Sequence, residues 1–302
     1  GIIVADPLII ETCRRVAPTL EIHLSTQQSL SNWKAVKYWK DEGLHRVVLA
    51  REVGAEEMKK MKEEVDIEIE AFVHGAMCIA YSGRCVLSNH MTARDSNRGG
   101  CCQSCRWDYD LYEEKDGQEV ALFNEGDAPF AMSPKDLKLI ESIPHMIELG
   151  IDSLKVEGRM KSIHYVATVI SVYRKVIDAY CADPENFQIK KEWLDELSRC
   201  AIRPAASSFF EGEPSYKQQM FGFHASKPKW DFAGLVLDYD QETQIVTLEQ
   251  RNYFKPGDTV EFFGPEIDTF QMVVGQLWDE DGAELDVARH PLQIVKFKVD
   301  RP

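Results

Sequence analysis

The first 75 residues alternate short apolar runs with amphipathic stretches, and this constrains the fold more than any other feature of the chain. Residues 2–5 read as a buried strand, and 8–16 follow at helical spacing. A second strand spans 20–24. The stretch 30–42 is an amphipathic helix with Trp33, Val36 and Trp39 on or near one face. A third strand (46–50), a charged helix (55–64) and a fourth strand (67–73) continue the series. Strand-then-helix units of about 20–25 residues call for parallel pairing through crossover helices. The pattern stops at Gly75 and resumes at 153–156. A long helix is then predicted from about 162 to 181. Its Val166, Val169, Ile170, Tyr173, Val176, Ile177 and Tyr180 form a wide apolar stripe. Ser162 is its expected cap, Asp183-Pro184 its stop, and 192–200 one more helix.

Five such strands do not close a barrel, whereas eight do. The expectation is a TIM-type (β/α)8 barrel, N-terminally truncated, with three βα units before Gly1. An open doubly wound sheet is the alternative, although no Gly-rich turn after the first strand favours a dinucleotide fold. The chain opens Gly1-Ile2-Ile3-Val4 with no Met and no basic flank or cleavage site of a leader. From 230 onward the period changes to two, at 233–237, 245–249, 259–263, 272–277 and 295–299, with polar turns between. This predicts a small antiparallel β-barrel domain. The expected organisation is therefore 1–200 as partial barrel with a cysteine-rich insertion at 75–134, a linker at 201–229, and the β-barrel at 230–302.

Thirty-five Lys+Arg against 50 Asp+Glu leave a net charge of −15, which argues against indiscriminate coating of nucleic acid. The longest apolar runs are too short to span a bilayer, so no membrane partner is expected, and the expected compartment is the cytoplasm.

Five of the eight cysteines lie between Cys78 and Cys105. Disulfides suit small domains with poor cores in oxidising compartments, and this chain has ample apolar residues. Ligation of zinc or an iron–sulfur cluster by thiolates is the better reading. The order is Cys78-x6-Cys85, then Cys101-x3-Cys105 with Cys102 between, unlike the paired C-x2-C knuckles of zinc ribbons. Four thiolates satisfy a [4Fe-4S] cubane. Cys78, Cys85, Cys101 and Cys105 are the expected ligands, with Cys102 a rival to Cys105 and zinc the second choice of metal. Cys13, Cys181 and Cys200 fall in helical stretches and read as packing residues. Arg84, Arg94, Arg98, Arg106, Trp107 and Tyr109 surround the cluster and could meet phosphate or RNA.

In a parallel α/β barrel, chemistry sits at the carboxyl ends of strands. Reading those ends gives Ser25 and Gln27, Arg51 and Glu52, His74, and then Lys155, Glu157 and Arg159. Glu52, His74 and Glu157 are candidate proton-transfer groups. Ser25, Gln27, Arg51, Arg98, Arg106, Lys155 and Arg159 are candidate substrate contacts.

These motifs resemble a known family. The stretch 70–78 (Glu-Ala-Phe-Val-His-Gly-Ala-Met-Cys) with Tyr81-Ser82-Gly83-Arg84-Cys85 closely resembles the signature of the peptidase U32 family, also called collagenase-like proteases. The likeness continues through Ser25-Thr26-Gln27, Arg51-Glu52, Asn97-Arg98-Gly99, Cys105-Arg106-Trp107, Ser133-Pro134-Lys135-Asp136-Leu137 and Lys155-Val156-Glu157-Gly158-Arg159. Ser208 stands where the resemblance has a Gly before Phe209-Phe210. Within the family, the Cys-Arg-Trp element and appended β domain are similar to the branch that hydroxylates the wobble uridine of tRNA to 5-hydroxyuridine. That resemblance implies an eight-stranded barrel, a Cys-ligated [4Fe-4S] cluster, tRNA as partner, prephenate as a small carboxylate co-substrate, and a homo-oligomer or a hetero-oligomer with a paralogue. The runner-up is a U32-type protease with a cysteine-based or metal-assisted site, pairing Cys78 or Cys85 with His74. No His-Glu-x-x-His helix or Gly-x-Ser-x-Gly elbow supports it.

Overall fold

The computed structural model describes residues 1–107, 109, 112–115, 118–121, 134–220, 230–264, 267 and 269–300. Parts of the expected insertion (108, 110–111, 116–117 and 122–133, Ser133 among them) and of the linker (221–229) lie outside the described residues.

The alternation of the first 75 residues becomes β1 (Ile2–Val4), α1 (Pro7–Val16), β2 (Ile22–Leu24), α2 (Trp33–Asp41), β3 (Arg46–Val48), α3 (Ala55–Glu64) and β4 (Glu68–Gly75). Local chemistry starts the helices. Asp6 accepts from the amide of Leu8 at 2.8 Å ahead of Pro7, and Asn32 accepts from that of Ala35 at 3.0 Å. The cysteine-bearing segment holds a short helix, α4 (Leu87–Thr92), and a hairpin, β5 (Tyr112–Lys115) with β6 (Gln118–Ala121). The chain then forms β7 (Asp136–Lys138), α5 (Ile143–Glu148), β8 (Ser153–Glu157), α6 (Ile163–Ala182), α7 (Lys191–Cys200) and β9 (Ala205–Ala206).

Strands β1, β2, β3, β4 and β8 pair in parallel in that order. β7 runs antiparallel to the end of β4, and β9 joins β7. The stretch expected to open the linker thus contributes β9 to the first unit's sheet. One sheet face carries Ile22, Leu24, Val47, Ile69 and Ala71 into a core with Ile10 of α1, Val36 of α2, Met61 of α3 and Val169 and Val172 of α6. The pleat sends alternate residues to the opposite face. There the register aligns His23, Arg46 and Glu68 across β2, β3 and β4, and Glu70 with Ser153 of β8.

A register shift between Phe72 and His74 breaks this alternation. Phe72 pairs with Lys155, but His74 pairs with Val156, so the bulge turns His74 away from the charged row. Its ring lies against Tyr165 and Tyr173 of α6.

Of the stripe expected on α6, Val169, Tyr173, Val176 and Tyr180 are buried, Val172 joins them, and Ile170 is 50% exposed. Ser162 caps the helix through the amide of Tyr165. Ser208 adopts φ +53°, the left-handed region that glycine reaches at no steric cost.

The chain divides into two units, Gly1–Lys227 and Pro228–Pro302. The second is antiparallel: β10 (Gly234–Asp240), β11 (Ile245–Gln250), β12 (Thr259–Phe262), β13 (Phe270–Val273), β14 (Leu277–Trp278), β15 (Glu284–Leu285) and β16 (Ile294–Lys298). The sheet order is β10-β11-β16-β14-β15, with β12 and β13 a separate pair. Val246, Leu248, Leu277, Val295 and Phe297 form its own core. Among the described residues, no helix is long and apolar enough to cross a membrane.

Ile69 is fully buried. Ile69→Ala is expected to cost about 2–5 kcal/mol in urea unfolding, whereas Ile170→Ala should stay within about 0.5 kcal/mol. Equal effects would contradict the assignment of the core face.

Candidate metal centre at the carboxyl end of the sheet

The cysteine segment is bolted to the strand ends at several points. Glu52, just past β3, accepts from the Ser82 amide at 3.0 Å and lies 3.3 Å from the Ser82 hydroxyl. The Arg51 amide donates to the same hydroxyl oxygen at 3.1 Å, and the Ser29 hydroxyl donates to the Ser82 carbonyl. Gly83 follows at φ +76°, and a Cβ there would overlap the Gln27 carbonyl after β2, so only glycine permits this approach. Gly75 meets Glu157 of β8 in the same way. On the far side of the segment, the Gln103 amide group donates to Glu157 at 3.2 Å, and Arg159 donates to the carbonyls of Gly99 and Cys101.

A buried ion triad makes the deepest attachment. Asp136 of β7 pairs with Arg106 at 2.6 Å and with Lys161 at 3.2 Å, and all three side chains are at least nine-tenths buried. Burial alone would push the Asp136 carboxyl up, but the Arg106 and Lys161 charges outweigh it and hold the group below its ordinary range. Arg106 also donates to the Met77 carbonyl, its own carbonyl accepts from Arg203, and Lys161 lies over the Tyr165 ring.

Cys78, Cys85, Cys101 and Cys105 lie along this framework, each half-buried. Burial pushes the Cys78 thiol up, and charge on Cys101 and Cys85 would push it further. Burial likewise raises Cys105 to about 11, with Cys78, Cys101 and Cys85 adding to the rise and Arg106 opposing it. Charge on Cys85 and Cys101 acts on both Cys78 and Cys105, and a cationic centre among these sulfurs would relieve that repulsion. The Gln103 amide donates to the Cys101 sulfur at 3.3 Å, the type of contact that tunes thiolate-bound metals. Among the described residues, no three His, Cys, Asp or Glu side chains converge on a point that would hold a single ion.

Cys102 is held elsewhere. The hydroxyls of Ser88 and Thr92 on α4 lie 3.3 and 3.4 Å from its sulfur, and its amide donates to Ser88. The Ser88 hydroxyl, then that of Thr92, lowers this thiol to about 7.

The residues expected at the site separate into four groups. Glu52, Glu157, Arg106 and Arg159 hold the cysteine segment, and Ser25 accepts from the Gln27 amide in the turn after β2. His74 is buried on the helix side, 3.2 Å from the Tyr173 hydroxyl, and burial lowers it to about 4, so its imidazole is neutral. Arg51 and Lys155 remain on the charged face, flanking the Phe72 ring at 3.9 and 5.6 Å. Lys155 also pairs with Glu70 at 2.6 Å, and Arg46 lies 3.6 Å from Glu70. Arg98 is 88% exposed beside Asp95. Sequence reasoning did not assign roles to Ser82, Asp136 or Lys161, although the first two fall within quoted motifs.

Comparison with known proteins places this framework. The model of peptidase family U32 matches residues 1–220, and that of the peptidase family U32 C-terminal domain matches 228–302. The chain belongs to peptidase family U32. Among its U32 relatives, tRNA hydroxylation protein P1 of Bacillus subtilis is 76% identical over 301 residues, covering all of this chain and 71% of that protein. The tRNA hydroxylation protein P of Escherichia coli is 31% identical over 88% of this chain and 67% of its own length. A U32 relative from Porphyromonas gingivalis named collagenase is 34% identical over 82% of this chain and 61% of its own.

The triad gives a direct test of how the segment is held. Asp136→Asn leaves two buried cations without their counter-charge, and is expected to cost about 3–5 kcal/mol in denaturant unfolding. A loss below about 1 kcal/mol would show that Arg106 and Lys161 do not depend on Asp136.

Proposed function

We propose that this chain carries the cysteine-bearing part of an enzyme that hydroxylates the wobble uridine of tRNA to 5-hydroxyuridine, with a [4Fe-4S] cluster on Cys78, Cys85, Cys101 and Cys105. The cluster assignment rests on Cys78, Cys85, Cys101 and Cys105 sharing one segment clamped to the carboxyl end of a parallel sheet, with Cys85 and Cys101 near enough for their charge to act on both Cys78 and Cys105. The names of the Bacillus and Escherichia relatives support tRNA hydroxylation. The donor set fits the group, because soft thiolates suit iron–sulfur centres and Gly83 lets the backbone pass close to the sheet. Zinc is the second choice for the same sulfurs.

When bound, the cluster would supply electron transfer, while replacement of the uridine C5–H by C5–OH draws its oxygen atom and two oxidising equivalents from an external oxygen donor. The chain's own residues do the rest of the work in this reading. Arg51 and Lys155 bind a small carboxylate co-substrate such as prephenate against the Phe72 ring. Arg51 Nε supports this, since it is buried without a hydrogen-bond partner among the described residues. Glu70 holds Lys155 in place, and its own carboxyl stays low because Lys155 and Ser153 offset the cost of burial. Arg98 meets phosphate. Glu52 and Glu157 keep the cysteine segment seated and lie close enough to it to move protons. The TIM-type barrel belongs to the proposal: five parallel strands would close as (β/α)8 with three more.

The protease reading finds less support. A thiol–imidazole nucleophile needs a lowered thiol and a basic imidazole. Here Cys78 is raised, and His74 is lowered and bonded to Tyr173 on the opposite side of the sheet from the charged row.

Nucleoside mass spectrometry of tRNA from a strain lacking the gene should show loss of 5-hydroxyuridine. The wild-type gene should restore it, and Cys85→Ala should not. Unchanged nucleosides in the deletion strain, with gelatin cleavage by the purified protein, would overturn the reading.

A further inference from the structure

The turn between Cys78 and Cys85 has two inward residues and two outward ones. Ser82 is buried and bonded on all sides, to Glu52, the Arg51 amide and the Ser29 hydroxyl. Gly83 rests against the Gln27 carbonyl. The Arg84 amide donates to the Tyr81 carbonyl at 3.0 Å and closes the turn around them. With its centre fixed, the turn presents Tyr81, 70% exposed, and Arg84, also exposed, to solvent. No carboxylate among the described residues pairs with Arg84, in a chain of net charge −15. A lone exposed aromatic is ordinary. An exposed aromatic and an unpaired guanidinium at the two ends of a turn locked to two strand ends is a preorganised surface.

We propose that Tyr81 and Arg84 form a contact for single-stranded RNA, in which the Tyr81 ring stacks on an unpaired base and Arg84 takes an adjacent phosphate. The inference rests on the RNA-hydroxylation reading and adds the residues that hold the loop nucleotide. Stacking on an aromatic side chain recognises any base by its face, so it suits a nucleotide splayed from a loop rather than one inside a duplex. The locked turn means that little side-chain or loop freedom is lost on binding. The position also matters. Tyr81 lies three residues after Cys78 and Arg84 immediately precedes Cys85, so a base on this turn is delivered beside the sulfur group.

The test is binding of a fluorescein-labelled anticodon stem-loop, with a fully paired RNA duplex as control, to the full chain purified anaerobically. Tyr81→Ala and Tyr81→Leu should weaken stem-loop binding about 5- to 100-fold. Tyr81→Phe and Tyr81→Trp should stay within about two-fold of wild type. Arg84→Gln should lower the slope of log affinity against log salt by about 1. None of these variants should change duplex binding, or the iron and sulfide content of the protein. Wild-type affinity in Tyr81→Leu would overturn the inference while leaving the hydroxylation reading standing, provided wild type binds the stem-loop. Loss of iron or of fold in Tyr81→Leu would assign Tyr81 a structural role and also overturn it. Failure of wild type itself to bind the stem-loop would overturn both.

Discussion

Asp136 sits between Arg106 and Lys161, out of water, with each of its carboxylate oxygens facing a cation. A buried carboxylate is tolerated only with such partners, and each buried cation is tolerated only with the carboxylate. Arg106 adjoins Cys105 in sequence and reaches the Met77 carbonyl, next to Cys78. Lys161 stands just before α6, and Asp136 begins β7. One ion triad therefore fixes both ends of the cysteine segment to the sheet and to α6.

The remaining attachments extend the same logic along the strand ends. Glu52 and Ser29 seat Ser82, Gly83 touches Gln27, and Glu157 and Arg159 hold the chain around Cys101. These contacts spend most of the charged side chains available at the carboxyl edge on holding the segment. Arg51 and Lys155 are the ones left facing the sheet's charged row, and Tyr81, Arg84 and Arg98 are left facing outward. In the proposed reading, this division would separate a site for a small anion from a surface for a larger polyanion, with the sulfurs on the same segment.

Much of this was legible in the sequence, for physical reasons. The hydrophobic periods located five parallel strands and placed α6 within one residue of its observed ends, because burial of one face dominates those segments. Ile170 was assigned to the core because it is apolar and near the stripe, but it lies at the edge and stays half exposed. His74 was read as a strand-end catalytic group. The bulge after Phe72 turns it toward Tyr173, and a bulge leaves no mark in a two-residue period. Strand-end position identified Glu52, Glu157 and Arg159 as meaningful, and nearness to the cysteines identified Arg106, but such residues look the same in sequence whether they meet a substrate or a neighbouring loop. Cys102 and Cys105 were rivals by spacing. Their side chains part company only in three dimensions, with Cys102 turned to the hydroxyls of α4.

The central claim is that Cys78, Cys85, Cys101 and Cys105 hold one iron–sulfur cluster, and metal and sulfide content tests it most directly. Protein purified anaerobically should be brown, with iron and acid-labile sulfide each near four per chain, as a [4Fe-4S] cluster requires. Cys102→Ser should retain that content, and Cys105→Ser should lose it. A colourless protein with one zinc per chain and no labile sulfide would contradict the claim.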